Sequence, residues 1–262
     1  MNLKLRPTCA AGRFYPQEEK ALQSLVQQNL TGNELALEHF QCLALAVPHA
    51  GYQYSAATAG QAFRWLAAQP SPKLGLWGPS HYFAFTGLAG NPYPEWELPG
   101  KSFHRFTPSS ERGSFVPATQ AALFHQPEHS LEVELPFIRE CAPEATVEAV
   151  LFGQLDPEVA LKALTAVPQI PFIIVSTDLS HFHSLKEAQK RDAQYLEAVQ
   201  AGRVGEVLTG EACGRVPLAA LVLLAQQNHW ECRVLHYDTS ATASGDDSSV
   251  VGYAALAWGV SC

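Results

Sequence analysis

The sequence at residues 172–182 is FIIVSTDLSHF, a continuous apolar run that stops at a polar loop carrying a histidine. The same layout occurs twice earlier, where residues 43–47 (LALAV) lead into PHAGY and residues 74–77 (LGLW) lead into GPSHY. Apolar runs of this length, bounded by Pro, Gly and Ser, are typical of buried parallel strands. Because open α/β sheets bind ligands outside the carboxyl ends of their strands, this pattern predicts a histidine-rich site at that edge.

The histidines of these loops are His49, His81 and His181. Histidine is the commonest metal ligand and the side chain that titrates nearest neutral pH, so metal-dependent or acid–base chemistry is expected. The spacing of His49 and His81 suits one β-α-β unit, whose right-handed crossover brings the two strands side by side or nearly so. We interpret this pair as ligands of a first-row divalent metal. The alternative is that each is an independently hydrogen-bonded loop histidine.

The composition is that of an enzyme-sized globular chain. With 262 residues the chain can bury a large core, and 47% hydrophobic and 16% charged residues exclude a disordered chain. No stretch approaches the roughly 20 apolar residues needed to span a bilayer. The net charge of −8 argues against a nucleic-acid-binding protein, which needs clustered Lys and Arg.

The six cysteines are scattered without a Cys-x-x-Cys pair, which excludes a zinc ribbon or a thioredoxin-like motif. The start of the chain carries no basic segment followed by an apolar core, so we expect no signal peptide and a cytoplasmic location. In a cytoplasm each thiol is expected to be reduced, and most thiols to be buried as small apolar groups.

Helix-like and strand-like segments alternate along the chain. Helical spacing of apolar residues predicts helices over residues 18–30, 56–68, 130–141, 157–166, 185–200 and 216–227. Further strands are predicted over residues 147–151, 232–237 and 250–258, and a long loop over residues 89–115. Helices interleaved with strands predict an α/β fold, a three-layer αβα sandwich with a mostly parallel central sheet, in a single domain over residues 1–262.

Asp178 and His181 form the third candidate cluster, in the sequence DLSH directly after the most apolar strand. A carboxylate three residues before a histidine can orient its ring, tune its pKa or add to metal ligation. A histidine held there without binding the metal is a suitable general base. The structural alternative is that Asp178 or Ser180 caps the helix that follows.

The remaining candidates are one histidine and a carboxylate. His129 lies in the segment EHSLEVELPF (residues 128–137), where helix capping and dipole complementarity explain Glu132 and Glu134. His129 itself is interpreted as a group that contacts substrate or orients a ligand. Two histidines and one carboxylate with open positions are typical of non-haem Fe(II) oxygen chemistry. The carboxylate is Asp246 as first candidate, in the loop before the last strand, or else Asp247 or Asp178.

Several segments together resemble the MEMO-like family, in the same order and over essentially the whole chain. They are RPTCAAGRFYP (residues 6–16), PHAGYQYS (48–55), GPSHY (78–82), EHSLEVELPF (128–137), DLSH (178–181) and VVGYAA (250–255). That family is similar in fold to the class III extradiol ring-cleaving dioxygenases, the LigB-like superfamily. The resemblance implies that His49 and His81 are metal ligands, that Asp178 and His181 are site residues with His181 as base, and that His129 is a further active-site histidine.

The resemblance also carries expectations about function. It implies a metal-dependent oxidoreductase of unspecified substrate, with Fe(II) as the expected metal and zinc or copper as alternatives. Animal members use a cysteine near the last strand as third ligand, and residues 240–249 contain none here. The other functions considered are a non-catalytic module that binds a peptide or other ligand, and a zinc-dependent hydrolase.

The resemblance bears on partners as well. A small-molecule or peptide substrate is expected, with no nucleic-acid or membrane partner. Bacterial and archaeal members often belong to the AmmeMemoRadiSam grouping, which implies a functional link to a radical-SAM protein and an AMMECR-type protein.

Overall fold

The described part of the chain alternates strands with helices. A computed structural model of the protein describes residues 4–32, 39–69, 71–107, 114–166 and 171–261. Its strands are β1 Gln41–Val47, β2 Lys73–Pro79, β3 Leu88–Gly90, β4 Thr146–Phe152, β5 Phe172–Ser176, β6 His181–His183, β7 Glu231–Thr239 and β8 Val250–Val260. Its helices are α1 Glu19–Leu30, α2 Tyr52–Ala68, α3 Ala118–His125, α4 Leu135–Cys141, α5 Pro157–Leu164, α6 Leu185–Gln200, α7 Val204–Thr209, α8 Arg215–Gln227 and α9 Ala241–Ser244.

The strands form one sheet in the order β3-β4-β2-β5-β1-β8-β6, and β7 pairs with β8. The four central strands β4, β2, β5 and β1 are parallel to one another. The outer strands β3, β6, β7 and β8 are antiparallel to their neighbours. The predicted α/β class with a mostly parallel sheet is therefore confirmed, with antiparallel strands at both edges.

Successive residues of the central strands enter two apolar cores, one on each face of the sheet. Leu45 of β1 and Ile174 of β5 belong to the core that contains residues of α1, α2 and α4. Ala44 and Ile173 belong to the core that contains residues of α5, α6 and α8. Because both faces are buried, the central strands consist mostly of apolar residues, which is the pattern from which they were predicted. The helices on the two faces complete the predicted αβα sandwich.

The segment predicted as one helix over residues 130–141 is divided in the structure. A 3-10 turn at Glu132–Glu134 is followed by α4, with Pro136 in the first turn of the helix. Proline lacks an N–H group and is tolerated at this position, where no intrahelical partner is needed. The predicted long loop begins within β3, and its residues 108–113 lie outside the described residues.

No helix in the described ranges combines the length and apolar character needed to cross a membrane.

The parallel registers bring the carboxyl ends of three strands to one edge of the sheet. Val47 of β1 lies beside Ser176 of β5, and Trp77 of β2 lies beside Val175 of β5. Strand β5 therefore separates the two strands that precede His49 and His81. The loops that follow β1, β2 and β5 leave the sheet together, and these loops carry the predicted site residues.

Candidate metal centre

The imidazole rings of three histidines contact one another at this edge of the sheet. The ring centroids of His49 and His81 lie 5.1 Å apart, those of His49 and His129 5.5 Å apart, and those of His81 and His129 4.7 Å apart. His49 follows β1, His81 follows β2, and His129 precedes the 3-10 turn at Glu132–Glu134. The structure thus brings together three residues that were singled out from separate parts of the sequence.

His49 is oriented by a serine and directs its other nitrogen at a thiol. Its Nδ1 atom lies 2.7 Å from Oγ of Ser176, and its Nε2 atom lies 3.4 Å from Sγ of Cys213. The residue is only 2% exposed. Burial, with a smaller contribution from the charge of His81, lowers the pKa of His49 to about 3. The ring is therefore neutral near pH 7 and has a lone pair to offer.

His81 is oriented by the buried carboxylate of Glu128. Its Nδ1 atom lies 2.9 Å from Oε1 of Glu128, and its backbone N–H donates to Oε2 at 2.6 Å. Burial alone would lower the pKa of His81, but the hydrogen bond and charge of Glu128 raise it above its usual value. Burial likewise opposes ionisation of Glu128, yet His81 lowers the pKa of this carboxyl to about 2. A carboxylate that holds one ring nitrogen in this way is typical of metal-binding histidines and leaves Nε2 for the metal.

His129 lies between the other two rings and an aromatic residue from the start of the chain. Its ring stacks on Phe14 with a centroid distance of 4.2 Å. Burial, together with the charge of His49, lowers the pKa of His129 to about 3. Its Nδ1 atom is buried 3.5 Å from Oε1 of Glu128 and has no hydrogen-bond partner among the described residues. Unsatisfied polar atoms are rare inside proteins, so this atom marks His129 as a group available to a ligand.

Cys213, two residues before α8, supplies a further potential donor atom that the sequence prediction missed. Donor atoms of His49, His81 and Cys213 all lie within 4.8 Å of one another, and a second such group consists of His81, Glu128 and His129. Cys213 is partly exposed as a residue, but burial of its thiol raises its pKa to about 12, with the charge of Asp178 adding to the effect. A metal ion must therefore displace the thiol proton when it binds.

Asp178 and His181 flank this cluster, and neither belongs to the groups of metal-ligand donor atoms found among the described residues. The Asp178 carboxylate accepts the backbone N–H of His49 at 2.9 Å. Burial raises the pKa of Asp178 to about 6, and the charge of His181 and the loop N–H groups oppose that rise. His181 opens β6, paired with Val251 of β8. The predicted helix cap is absent here, because β6 intervenes and Ser184 precedes α6.

The structure does not bring Asp246 or Asp247 to the histidines. Asp246 is exposed, and its carboxylate accepts the backbone N–H and the hydroxyl of Ser248 at 2.8 and 2.6 Å. These contacts close a local turn that follows α9. Asp247 is also exposed, and its carbonyl accepts the N–H of Leu185 at 2.9 Å. Among the described residues, the donor atom grouped with those of His49 and His81 is the sulfur of Cys213, and neither Asp246 nor Asp247 belongs to such a group.

Comparison with known proteins shows similarity over nearly the whole chain. A family model described as Memo-like protein matches residues 6–257. A MEMO1 family protein of Methanococcoides burtonii is 29% identical, over 96% of this chain and 99% of its own length. MEMO1 family proteins of Methanopyrus kandleri and Thermoplasma acidophilum are each 28% identical over 96% of this chain, covering 98% and 97% of their own lengths. All residues of the cluster lie inside the matched range.

Proposed function

The chain belongs to the Memo-like protein family, and we propose that it binds one metal ion through His49, His81 and Cys213 and uses it in an oxidoreductase reaction. One observation carries this proposal. The Nδ1 atoms of both histidines are already engaged by Ser176 and Glu128, while donor atoms of the three residues lie within 4.8 Å of one another. Histidines bound to metals are held through their second nitrogen in this way.

The donor set restricts the metal. Two imidazoles and a thiolate suit iron, zinc and copper, whereas magnesium and calcium prefer oxygen ligands. Fe(II) remains the first metal to test, and zinc and copper are the alternatives because soft thiolate ligands favour them. Three protein ligands leave a coordination position open, and the bound metal would supply Lewis-acid or electron-transfer chemistry there.

The neighbouring side chains have separate roles in this proposal. His181 moves a proton to or from the substrate as general base, because it lies beside the cluster without supplying a donor atom. Asp178 holds the loop after β1 through the N–H of His49. His129 has a lowered pKa and is therefore neutral near pH 7, so that its ring can accept a hydrogen bond from the substrate. The substrate is a small molecule or a peptide.

The test begins with metal content. Protein loaded anaerobically with Fe(II), Zn(II) or copper and then desalted is expected to retain one equivalent of one of these metals. The variants His49→Ala and His81→Ala are expected to retain none while keeping the parent circular dichroism spectrum.

Oxygen uptake by the Fe(II)-loaded protein with a panel of small catechols then tests the redox step. If the parent retains no metal, the metal site is wrong; if metal is retained without oxygen uptake on any substrate, the oxidoreductase assignment loses its support.

His181→Ala is expected to retain metal but to lower oxygen-dependent turnover by about 10²–10⁴-fold, the usual contribution of a general base. The matched control is His183→Ala, two residues further on. The ring of His183 bonds to Glu211 at 2.7 Å and belongs to neither group of metal-ligand donor atoms found among the described residues. Both variants are compared by metal content and by initial rate. If His181→Ala turns over as fast as the parent, His181 is not the general base.

A second candidate function is a ligand-binding module without turnover. It is favoured by Tyr82 and Phe182, which follow His81 and His181 directly and are 47% and 78% exposed. Exposed aromatic side chains beside a site are typical of surfaces that bind peptides or other partners. Metal retention without turnover would support this function. The cytoplasmic location and the link to a radical-SAM protein and an AMMECR-type protein stay predictions.

A further inference from the structure

Glu134 is a buried acidic residue that the proposed reaction does not use. It lies in the 3-10 turn before α4 and is 0% exposed. Within the described part of the chain it forms no ion pair with an Arg, Lys or His side chain. Its Oε1 atom lies 2.9 Å from Oγ of Ser176, and its Oε2 atom has no hydrogen-bond partner there. An ionised carboxylate without a counter-charge is costly to bury, so its protonation state needs an explanation.

The hydroxyl of Ser176 supplies that explanation, because it has three close polar neighbours. Its Oγ atom lies 2.6 Å from the carbonyl oxygen of Ser130, 2.9 Å from Oε1 of Glu134 and 2.7 Å from Nδ1 of His49. A hydroxyl carries one hydrogen and can accept two further hydrogen bonds. The carbonyl oxygen of Ser130 has no hydrogen to offer, and its contact is the shortest. The single hydrogen of Ser176 therefore points to Ser130.

The other two contacts then have only one consistent assignment. Both Glu134 and His49 must donate to the Ser176 oxygen, because that oxygen has no second hydrogen to give. A carboxylate has no hydrogen, whereas a carboxylic acid has one. If Glu134 were ionised, it would draw the hydroxyl hydrogen to itself and leave two oxygen atoms, Ser176 Oγ and Ser130 O, in contact at 2.6 Å without a hydrogen between them.

We propose that Glu134 is a neutral carboxylic acid and that Ser176 and Glu134 form a relay that holds His49 with its hydrogen on Nδ1 and its lone pair on Nε2, toward Cys213. Ser176 and Glu134 are positioning residues, since they act on the site through His49. The use of Nε2 by a metal rests on the proposed function. The proton on Glu134 and the tautomer of His49 are properties of the metal-free protein.

The surroundings of Glu134 agree with this assignment. Burial raises the pKa of Glu134 well above its usual value, and the charge of Asp178 adds to the rise. A carboxylic acid donates from the same place as the amide of glutamine. Protonated Glu134 is therefore a neutral hydrogen-bond donor. A glutamine at this position is expected to donate to Ser176 in the same way and to leave the tautomer of His49 and the metal affinity unchanged.

Infrared difference spectra of the metal-free protein test the proton on Glu134. The spectrum of the parent minus that of Glu134→Gln is expected to contain the C=O band of a protonated carboxyl group, shifted in deuterated water. The matched control is Glu140→Gln, on the same segment but exposed, which is expected to show carboxylate bands only. Carboxylate bands for Glu134 at neutral pH would overturn the proposal.

Nitrogen-15 spectra of the histidine rings test the tautomer. Metal-free parent and Glu134→Gln are both expected to show His49 with hydrogen on Nδ1, and Ser176→Ala is expected to show a mixture of tautomers.

In the metal-binding assay, Ser176→Ala is expected to weaken affinity by about 10–100-fold, the usual cost of removing a group that orients a ligand, and Glu134→Gln to match the parent. A His49 with hydrogen on Nε2 in the parent would overturn the relay. If the band and the tautomer are found but no metal binds, the relay stands and the proposed function falls.

Discussion

Replacing Cys213 by Ala is expected to remove stoichiometric metal from the purified protein, whereas Asp246→Ala is expected to retain it like the parent. The Sγ atom of Cys213 lies 3.4 Å from Nε2 of His49 and within 4.8 Å of a His81 donor atom. The Asp246 carboxylate instead closes a turn with Ser248 on the surface. Losing a group that only orients a ligand costs about 10–100-fold in affinity, and losing a donor atom is expected to cost at least as much.

The control must separate loss of a donor from loss of a buried thiol. Cys42 in β1 is buried, and its sulfur donates to the backbone carbonyl of Ala44, its one hydrogen-bond partner among the described residues. Cys42→Ala therefore measures what a missing buried thiol does to the fold. Metal content after anaerobic loading and the midpoint of urea unfolding are measured for all three variants. If Cys213→Ala holds metal like the parent and Asp246→Ala does not, the predicted carboxylate is the third ligand and the loop before β8 rearranges on binding.

The contrast between these residues shows what the sequence could reveal. His49 and His81 follow apolar strands, and the carboxyl ends of parallel strands share one edge of the sheet. Recognising parallel strands was therefore enough to predict that the two histidines lie close together. Cys213 precedes α8 and follows no strand, and it stands 164 positions from His49 along the chain. Because Cys213 does not lie at a strand end, its position near His49 could not be predicted in this way. The contact depends on how the loop before α8 packs against the loop after β5.

The acidic residues around His129 show a second limit. Glu132 and Glu134 were explained by helix capping and dipole complementarity, a role that usually leaves carboxylates exposed, and the nearby Glu128 was given no role. In the structure all three are at most 1% exposed, and each has a different hydrogen-bond partner: His81, Arg6 and Ser176. The sequence pattern of acids near a helix start is the same for both situations. Only the packing of the segments that contribute these partners distinguishes a buried, hydrogen-bonded carboxylate from an exposed helix cap.

One of these acids, Glu132, binds the start of the chain to the site. Its side chain and that of Arg6 are both 0% exposed and form an ion pair, with the guanidinium 4.0 Å from the centre of the Trp96 ring. Phe14, which stacks on His129, belongs to the segment held in this way. The described groups that donate to the Glu132 carboxylate are the side chains of Arg6, Thr8, Cys9 and Tyr15 and the backbone N–H groups of Cys9 and Ala10.

Glu132→Gln is expected to lower the free energy of unfolding by about 3–5 kcal/mol, the cost of leaving a buried charge without its partner. Arg6 would keep its charge in an apolar setting, and the new amide N–H₂ group would face other donors. Urea unfolding near neutral pH measures this loss. The control is Glu140→Gln on the exposed side of α4, expected to change stability by no more than about 0.5 kcal/mol.

The pH dependence of that loss identifies its cause. Burial alone would raise the pKa of Glu132, but Arg6 and the hydrogen-bond donors bring it below its usual value. A carboxyl with a lowered pKa contributes stability that is complete above its unfolded pKa, about 4.3, and is lost as the pH falls through the folded value. The difference in stability between parent and Glu132→Gln is therefore expected to be constant from neutral pH down to about that value and to shrink only below it. A difference that already shrinks near neutral pH would mean that Glu132 is protonated there in the folded protein. The charge of Arg6 would then be stabilised by hydrogen bonds to neutral groups, such as the carbonyl oxygens of His125 and Glu128, instead of by an ion pair.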